Sequence, residues 1–160
     1  MICDFLNNVM TKIPSLAFHS LTLCKTVVVL YGGLTNSDKI VGDVHVLKYD
    51  GIMLATASYE KNVKTFPLPR HSHTACYDAN DNNIYIFGGY WNQSPFFLNQ
   101  LCILNITKKN SIAFQNSPKT DAISPRCRHT AFLHGKKLYI YGGYGIHKQT
   151  KKIRKYILIY

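Results

Sequence analysis

Seven histidines, five cysteines and a few arginines that recur beside the histidines are the side chains here with chemistry to offer. His71-Ser72-His73 sets two imidazoles two residues apart, which on a regular strand places both on one side and offers half of a copper-type site. The competing reading is that His73 fills a position shared with His19 and His129, so that no metal and no cofactor is expected. Cys3, Cys24, Cys76, Cys102 and Cys127 are odd in number, scattered and never paired as C-x-x-C. They read as reduced interior thiols rather than a disulfide framework or a zinc ribbon. No Ser/His/Asp or Cys/His set can be assembled, the 8 acidic residues leave few general acids or bases, and no phosphate-cradling glycine loop is present. The chain is therefore expected not to be an enzyme. What remains are the planar forks of Arg70, Arg126 and Arg128, which suit carboxylate or phosphate.

Lys and Arg number 19 against 8 Asp and Glu, a formal net charge of +11 that draws polyanions towards the surface. Lys148, Lys151, Lys152, Arg154 and Lys155 form a basic cluster with Tyr156 beside it. Basic loops next to aromatics grip phosphates and stack bases, which makes nucleic acid the lesser alternative to a protein partner; the plainer reading is a solvated loop. A chain of 160 residues with 46% apolar and 17% charged residues forms one domain with a core that needs neither disulfide nor metal. Asp4, Asn7 and Asn8 interrupt the first apolar residues, and no run is long enough to span a bilayer. The expectation is a cytoplasmic protein with no membrane partner.

The elements that must position these side chains repeat. Val27-Val28-Val29-Leu30-Tyr31-Gly32-Gly33, Ile84-Tyr85-Ile86-Phe87-Gly88-Gly89 and Leu138-Tyr139-Ile140-Tyr141-Gly142-Gly143 are apolar runs closing on a glycine pair, 56 and then 54 residues apart. Upstream of them stand His19-Ser20, His73-Thr74 and His129-Thr130, at 13, 15 and 13 residues from the first glycine. Pro69-Arg70 and Pro125-Arg126 precede the last two histidines; the first unit has no arginine there and is the most degenerate. Short runs of Val, Ile, Leu, Tyr and Phe without polar alternation predict strands covered on both faces, and the turns around Asp78 to Asn83 and His134 to Lys137 predict hairpins. Each unit reads as strand, turn, apolar strand, Gly-Gly, loop and strand, with a weaker fourth strand near 54–59 and 112–115. Helical periodicity is absent.

Arg-x-x-His-Thr-Ala followed by Ile-Tyr-Ile-Phe-Gly-Gly-Tyr resembles the kelch repeat, in three registers over nearly the whole chain. The resemblance implies an all-β fold: a partial kelch β-propeller of about three four-stranded antiparallel blades, the last incomplete. The units are expected at 14–68, 69–124 and 125–160 of a single partial propeller spanning 1–160, with 1–13 as an outer strand of a preceding blade. Phe114 and Phe5 stand where the family usually carries tryptophan. Propellers close with about four to eight blades, so three units leave sheet edges that invite pairing, either with further blades or with another chain. Galactose-oxidase-like propellers also contain kelch units and use copper, which sets the enzyme alternative.

Strand alternation puts the loops 34–42, 90–98 and 144–153 on the same rim as the crossovers 63–71 and 119–127. In kelch domains that capture peptides this rim takes acidic or phosphorylated segments, so the resemblance implies a protein or acidic-peptide partner. The expected contact residues are Arg70, Arg126, Arg128, Tyr90, Trp91, Tyr144 and His147, with Phe96 and Phe97 nearby. Arg70 and Arg126 have a second use that fits equally: bridging blades or bonding backbone carbonyls. Arg128 is less constrained by the repeat, since Ser72 takes its place in the second unit.

Overall fold

A computed structural model describes residues 15–25, 27–49, 54–60, 67–106, 112–116, 123–145 and 156–159. The first sheet runs β2 (Ser20–Cys24), β3 (Val27–Tyr31), β5 (Val44–Tyr49) and β6 (Leu54–Glu60), each antiparallel to its neighbour. Its pre-histidine strand β1 (Leu16–Ala17) pairs with β4 (Leu34–Thr35), just after the glycine pair. The second sheet is β7 (Thr74–Asp78), β8 (Asn83–Phe87), β9 (Leu101–Ile106) and β10 (Ile112–Asn116). The third has three strands, β11 (Thr130–His134), β12 (Lys137–Tyr141) and β13 (Tyr156–Ile159). Among the described residues there is no helix, and the sheets do not close into a ring. The architecture is the all-β partial propeller that the repeats predict.

The hairpins form where the turn residues stand. Between β7 and β8, the Asn80 N–H donates to Asp78 Oδ1 at 2.9 Å and the Tyr77 hydroxyl donates to Asn82 Oδ1 at 2.7 Å, which leaves Asn82 in the left-handed region at φ 57°. Between β11 and β12 the turn is Gly135-Lys136.

Two apolar clusters stack the sheets. The first joins Cys24, Val27, Val29, Tyr31, Val44 and Val46 to Ile84, Ile86, Cys102 and Leu104, with Ala75 and Tyr77 against it. The second joins Tyr85, Phe87, Leu101 and Ile103 to Leu138, Ile140 and Ile123, with Ala131 and Leu133 against it. The middle sheet thus buries both faces, and β8 shows no exposed residue along its length. The third sheet departs from that expectation: along β12 buried and exposed residues alternate, because only one face has a sheet against it.

Cys24, Cys76, Cys102 and Cys127 are free thiols, and burial pushes those of Cys76 and Cys102 up to about 11. Cys3 lies outside the described residues. Among those residues no helix is long and apolar enough to cross a membrane, and no three His, Cys, Asp or Glu side chains converge as metal ligands.

Candidate partner-binding site

One rim is assembled by backbone pairing that repeats in every unit. The segment before each histidine pairs with the loop after the glycine pair: Ala17 with Leu34, His71 with Tyr90, and Cys127 with Tyr144. His71 and Tyr90 exchange N–H···O bonds of 3.1 and 2.9 Å, and Cys127 and Tyr144 exchange two of 2.8 Å. The residue immediately before each histidine adopts a left-handed conformation: Phe18 at φ 56°, Ser72 at 56° and Arg128 at 54°. These three are linked across units, Ser72 N–H donating to Phe18 O and Arg128 N–H to Ser72 O, both at 2.9 Å.

The consequence is a chain of rings over three units. Phe18 lies 5.8 Å from His71, His71 5.2 Å from Tyr90, Tyr90 5.5 Å from Phe97 and Phe97 5.5 Å from Tyr144, centroid to centroid. Phe96 stacks on Tyr90 at 6.2 Å, and the Arg128 guanidinium carbon sits 5.9 Å from the centre of the Phe18 ring. Phe18, Phe96 and Tyr144 are exposed, Tyr144 to 64%, and Arg128 is exposed as well. Burial, and secondarily the charge of Arg128, lowers the His71 pKa below its usual 6.5, so at neutral pH this histidine serves the rim as an uncharged ring. Trp91 is half-buried beside the patch, its backbone N–H donating to Phe96 O at 2.8 Å. His147 and the Lys148 to Lys155 cluster lie outside the described residues.

Arg70 and Arg126 occupy a different place. Both are buried, Arg70 completely. Arg70 Nε donates to Leu68 O at 3.0 Å, Nη1 to Gly88 O at 2.9 Å and Nη2 to Gln100 Oε1 at 2.6 Å. Arg126 repeats the scheme, with Nε to Ser124 O at 3.2 Å, Nη1 to Gly142 O and Nη2 to Ser124 Oγ at 2.9 Å. Of the two uses open to these arginines, their hydrogen bonds serve the second: the forks hold the crossover to the glycine turn beneath the rim.

The two imidazoles of His71-Ser72-His73 do not form a shared half-site. Ser72 at φ 56° breaks the alternation that would have put them on one side. His71 joins the rim rings, while His73 turns inward, Nε2 lying 2.8 Å from Ser20 Oγ with its ring edge-on to Tyr31. Phe18 and His71 are rim members that the residue-type argument passed over. The signal for Phe18 was available, since it holds the position of Arg128 relative to its own histidine.

Repeating four-stranded sheets, a glycine pair at the end of each second strand and a buried histidine and arginine at each junction define a kelch-type propeller segment. The KLHDC2/KLHL20/DRC7 Kelch-repeats domain matches residues 18–158, and the chain belongs to the kelch-repeat family. It is similar to a Drosophila melanogaster protein named Host cell factor, 29% identical over 142 residues that cover 79% of this chain and 9% of that protein. It is likewise 29% identical over 147 residues to Host cell factor 2 of Homo sapiens, covering 81% of this chain and 17% of that protein. The chain thus spans less than a fifth of the length of either relative. Kelch domains generally act in protein interaction rather than catalysis, and that is the coarse function this fold carries.

Proposed function

We propose that the chain is a non-enzymatic protein-interaction module whose rim receives a partner protein or an acidic peptide segment. The observation that carries this reading is the continuous ring path Phe18, His71, Tyr90, Phe97 and Tyr144, with Arg128 at its edge. Exposed aromatic rings flanked by one arginine fork combine apolar area with a bidentate anchor, the composition of binding hot spots. Arg128, Tyr90, Trp91 and Tyr144 make the contact, and Arg70 and Arg126 support it from below. His147 is retained on its position in the loop 144–153. The contact surface belongs to a single partial propeller, 1–160, with units at 14–68, 69–124 and 125–160, working in a reducing compartment such as the cytoplasm.

The test is capture of partners from a library of acidic and phosphorylated peptides by the full chain and by Arg128→Ala and Tyr144→Ala. Each substitution weakens binding of acidic peptides by about tenfold, a common cost at an interface anchor, and leaves the β-sheet circular dichroism unchanged. Equal binding by all three chains sinks the rim assignment. Binding of a nonspecific oligonucleotide at low salt, with a steep salt slope and no peptide capture, would replace it with the nucleic-acid reading.

A further inference from the structure

Both junctions between successive sheets are built from the same parts. At the first, His73 Nε2 meets Ser20 Oγ at 2.8 Å, the His73 ring lies edge-on to Tyr31, and Gly33 N–H donates to Arg70 O at 2.9 Å. At the second, His129 Nε2 meets Thr74 Oγ1 at 2.8 Å, its ring lies edge-on to Phe87, and Gly89 N–H donates to Arg126 O at 2.9 Å. The first glycine of each pair is crossed by the incoming strand: a Cβ on Gly32 would lie 2.5 Å from Arg70 O, and one on Gly88 2.6 Å from Arg126 O.

The third unit presents the receiving half of this junction uncovered. Tyr141, equivalent to Tyr31 and Phe87, is 55% exposed where they are 1% and 0%. Thr130, equivalent to Ser20 and Thr74, is exposed, as is Phe132, whose ring stacks on Tyr139 at 4.8 Å. A Cβ on Gly142 would meet nothing within 4 Å among the described residues.

The first unit presents the entering half. Ala75 and Tyr77 of the second unit, and Ala131 and Leu133 of the third, pack into the clusters before them. Their equivalents Leu21 and Leu23 are 57% and 54% exposed, and His19 is exposed where His73 and His129 are buried. Farther out on the same sheet Val28, Leu30, His45 and Leu47 are buried, so the open half is the inner strand β2, whose counterparts begin the junction contacts just described.

We infer that the open end of the third unit takes the first unit of a second copy of this chain, and that two copies close head-to-tail into a ring of six units. Both halves of the contact already seen twice within the chain lie uncovered on one molecule, so a second copy satisfies both ends at once. Six units fall within the usual range of about four to eight blades, and a two-fold axis repeats the contact, third unit to first and first to third. The His19 ring of the second copy then meets Thr130, and its Leu16 carbonyl, at the offset of Arg70 O, crosses Gly142. The inference does not rest on the rim's use in binding, because it concerns blade faces and not rim loops.

Sedimentation equilibrium of the full chain at micromolar concentration reads the outcome. The unaltered chain gives the mass of two copies. Leu21→Arg with Leu23→Arg, and separately Phe132→Arg, each replace side chains already exposed and weaken association by about tenfold or more while the sheet spectrum persists. An equimolar mixture of the two altered chains regains a two-copy species, because one intact junction remains between them. A monomeric parent chain, which would leave the face to a kelch unit of another protein, overturns the inference. So does an open series of higher oligomers, a dimer indifferent to both changes, or a mixture that behaves like its components.

Discussion

At the residue scale the arginines separate by what their donors touch. Arg70 spends its fork on two backbone carbonyls and a glutamine inside the protein, with no exposure to solvent. Its truncation leaves buried acceptors without a donor, and a hydrogen bond to a charged group is worth about 1.5 to 3 kcal/mol. Arg70→Ala is therefore expected to lose about 3 to 5 kcal/mol in urea unfolding followed by circular dichroism. Arg70→Lys should recover little, since an ammonium cannot reach three acceptors in one plane. Arg128, exposed and lying over Phe18, should cost less than about 0.5 kcal/mol on replacement by alanine. An Arg70→Ala chain as stable as Arg128→Ala would show that the buried fork holds nothing together. Sequence alone offered both uses for Arg70 and Arg126 and could not choose between them, because a Pro-Arg dipeptide says where the backbone turns but not whether the fork points in or out.

At the element scale the junction is a place where one unit's glycine lies under the next unit's backbone. Gly88 sits at φ +65° with the Arg126 carbonyl and the His129 ring over it, whereas Gly142 at φ +71° faces open space among the described residues. Alanine in the left-handed region costs about 1 to 2 kcal/mol at either position. At Gly88 the clash adds about 1 to 3 kcal/mol more. In dilute solution Gly88→Ala should therefore unfold at clearly lower urea than Gly142→Ala, and equal midpoints would mean that the strands do not cross there. Much of this was legible: three glycine pairs, three histidines and the hairpin turns give the strands and their order. What the pattern hid lies where the backbone leaves it. Ser72 turns by a positive φ, so a spacing of two no longer puts His71 and His73 on one side, and the same turn at Phe18 and Arg128 brings distant residues into one ring path.

At the scale of the whole molecule, stacking depends on two histidines staying neutral. Burial first and Arg126 second pull the His129 pKa down to about 4, and burial with Arg70, His129, His71 and His19 holds His73 well below 6.5. Nδ1 of each ring is buried with no hydrogen-bond partner among the described residues, so protonation would leave a second ring N–H unsatisfied inside a junction. A folded pKa below the unfolded one means the stabilisation is fully present above about 6.5 and is lost as pH falls towards about 4. For His129 alone this is on the order of 3 kcal/mol, a large part of the roughly 5 to 15 kcal/mol that holds a domain folded. Both junctions lose their fit over the same acid range, so the sheets should come apart together rather than one by one. The urea midpoint should therefore fall steeply between pH 6.5 and 4.5, and His129→Gln, which keeps an amide within reach of Thr74 but takes up no proton, should flatten that slope by about one proton's worth, roughly 1.4 kcal/mol per pH unit. A midpoint constant across this range, or an unchanged slope in His129→Gln, would show that the junctions tolerate charged imidazole.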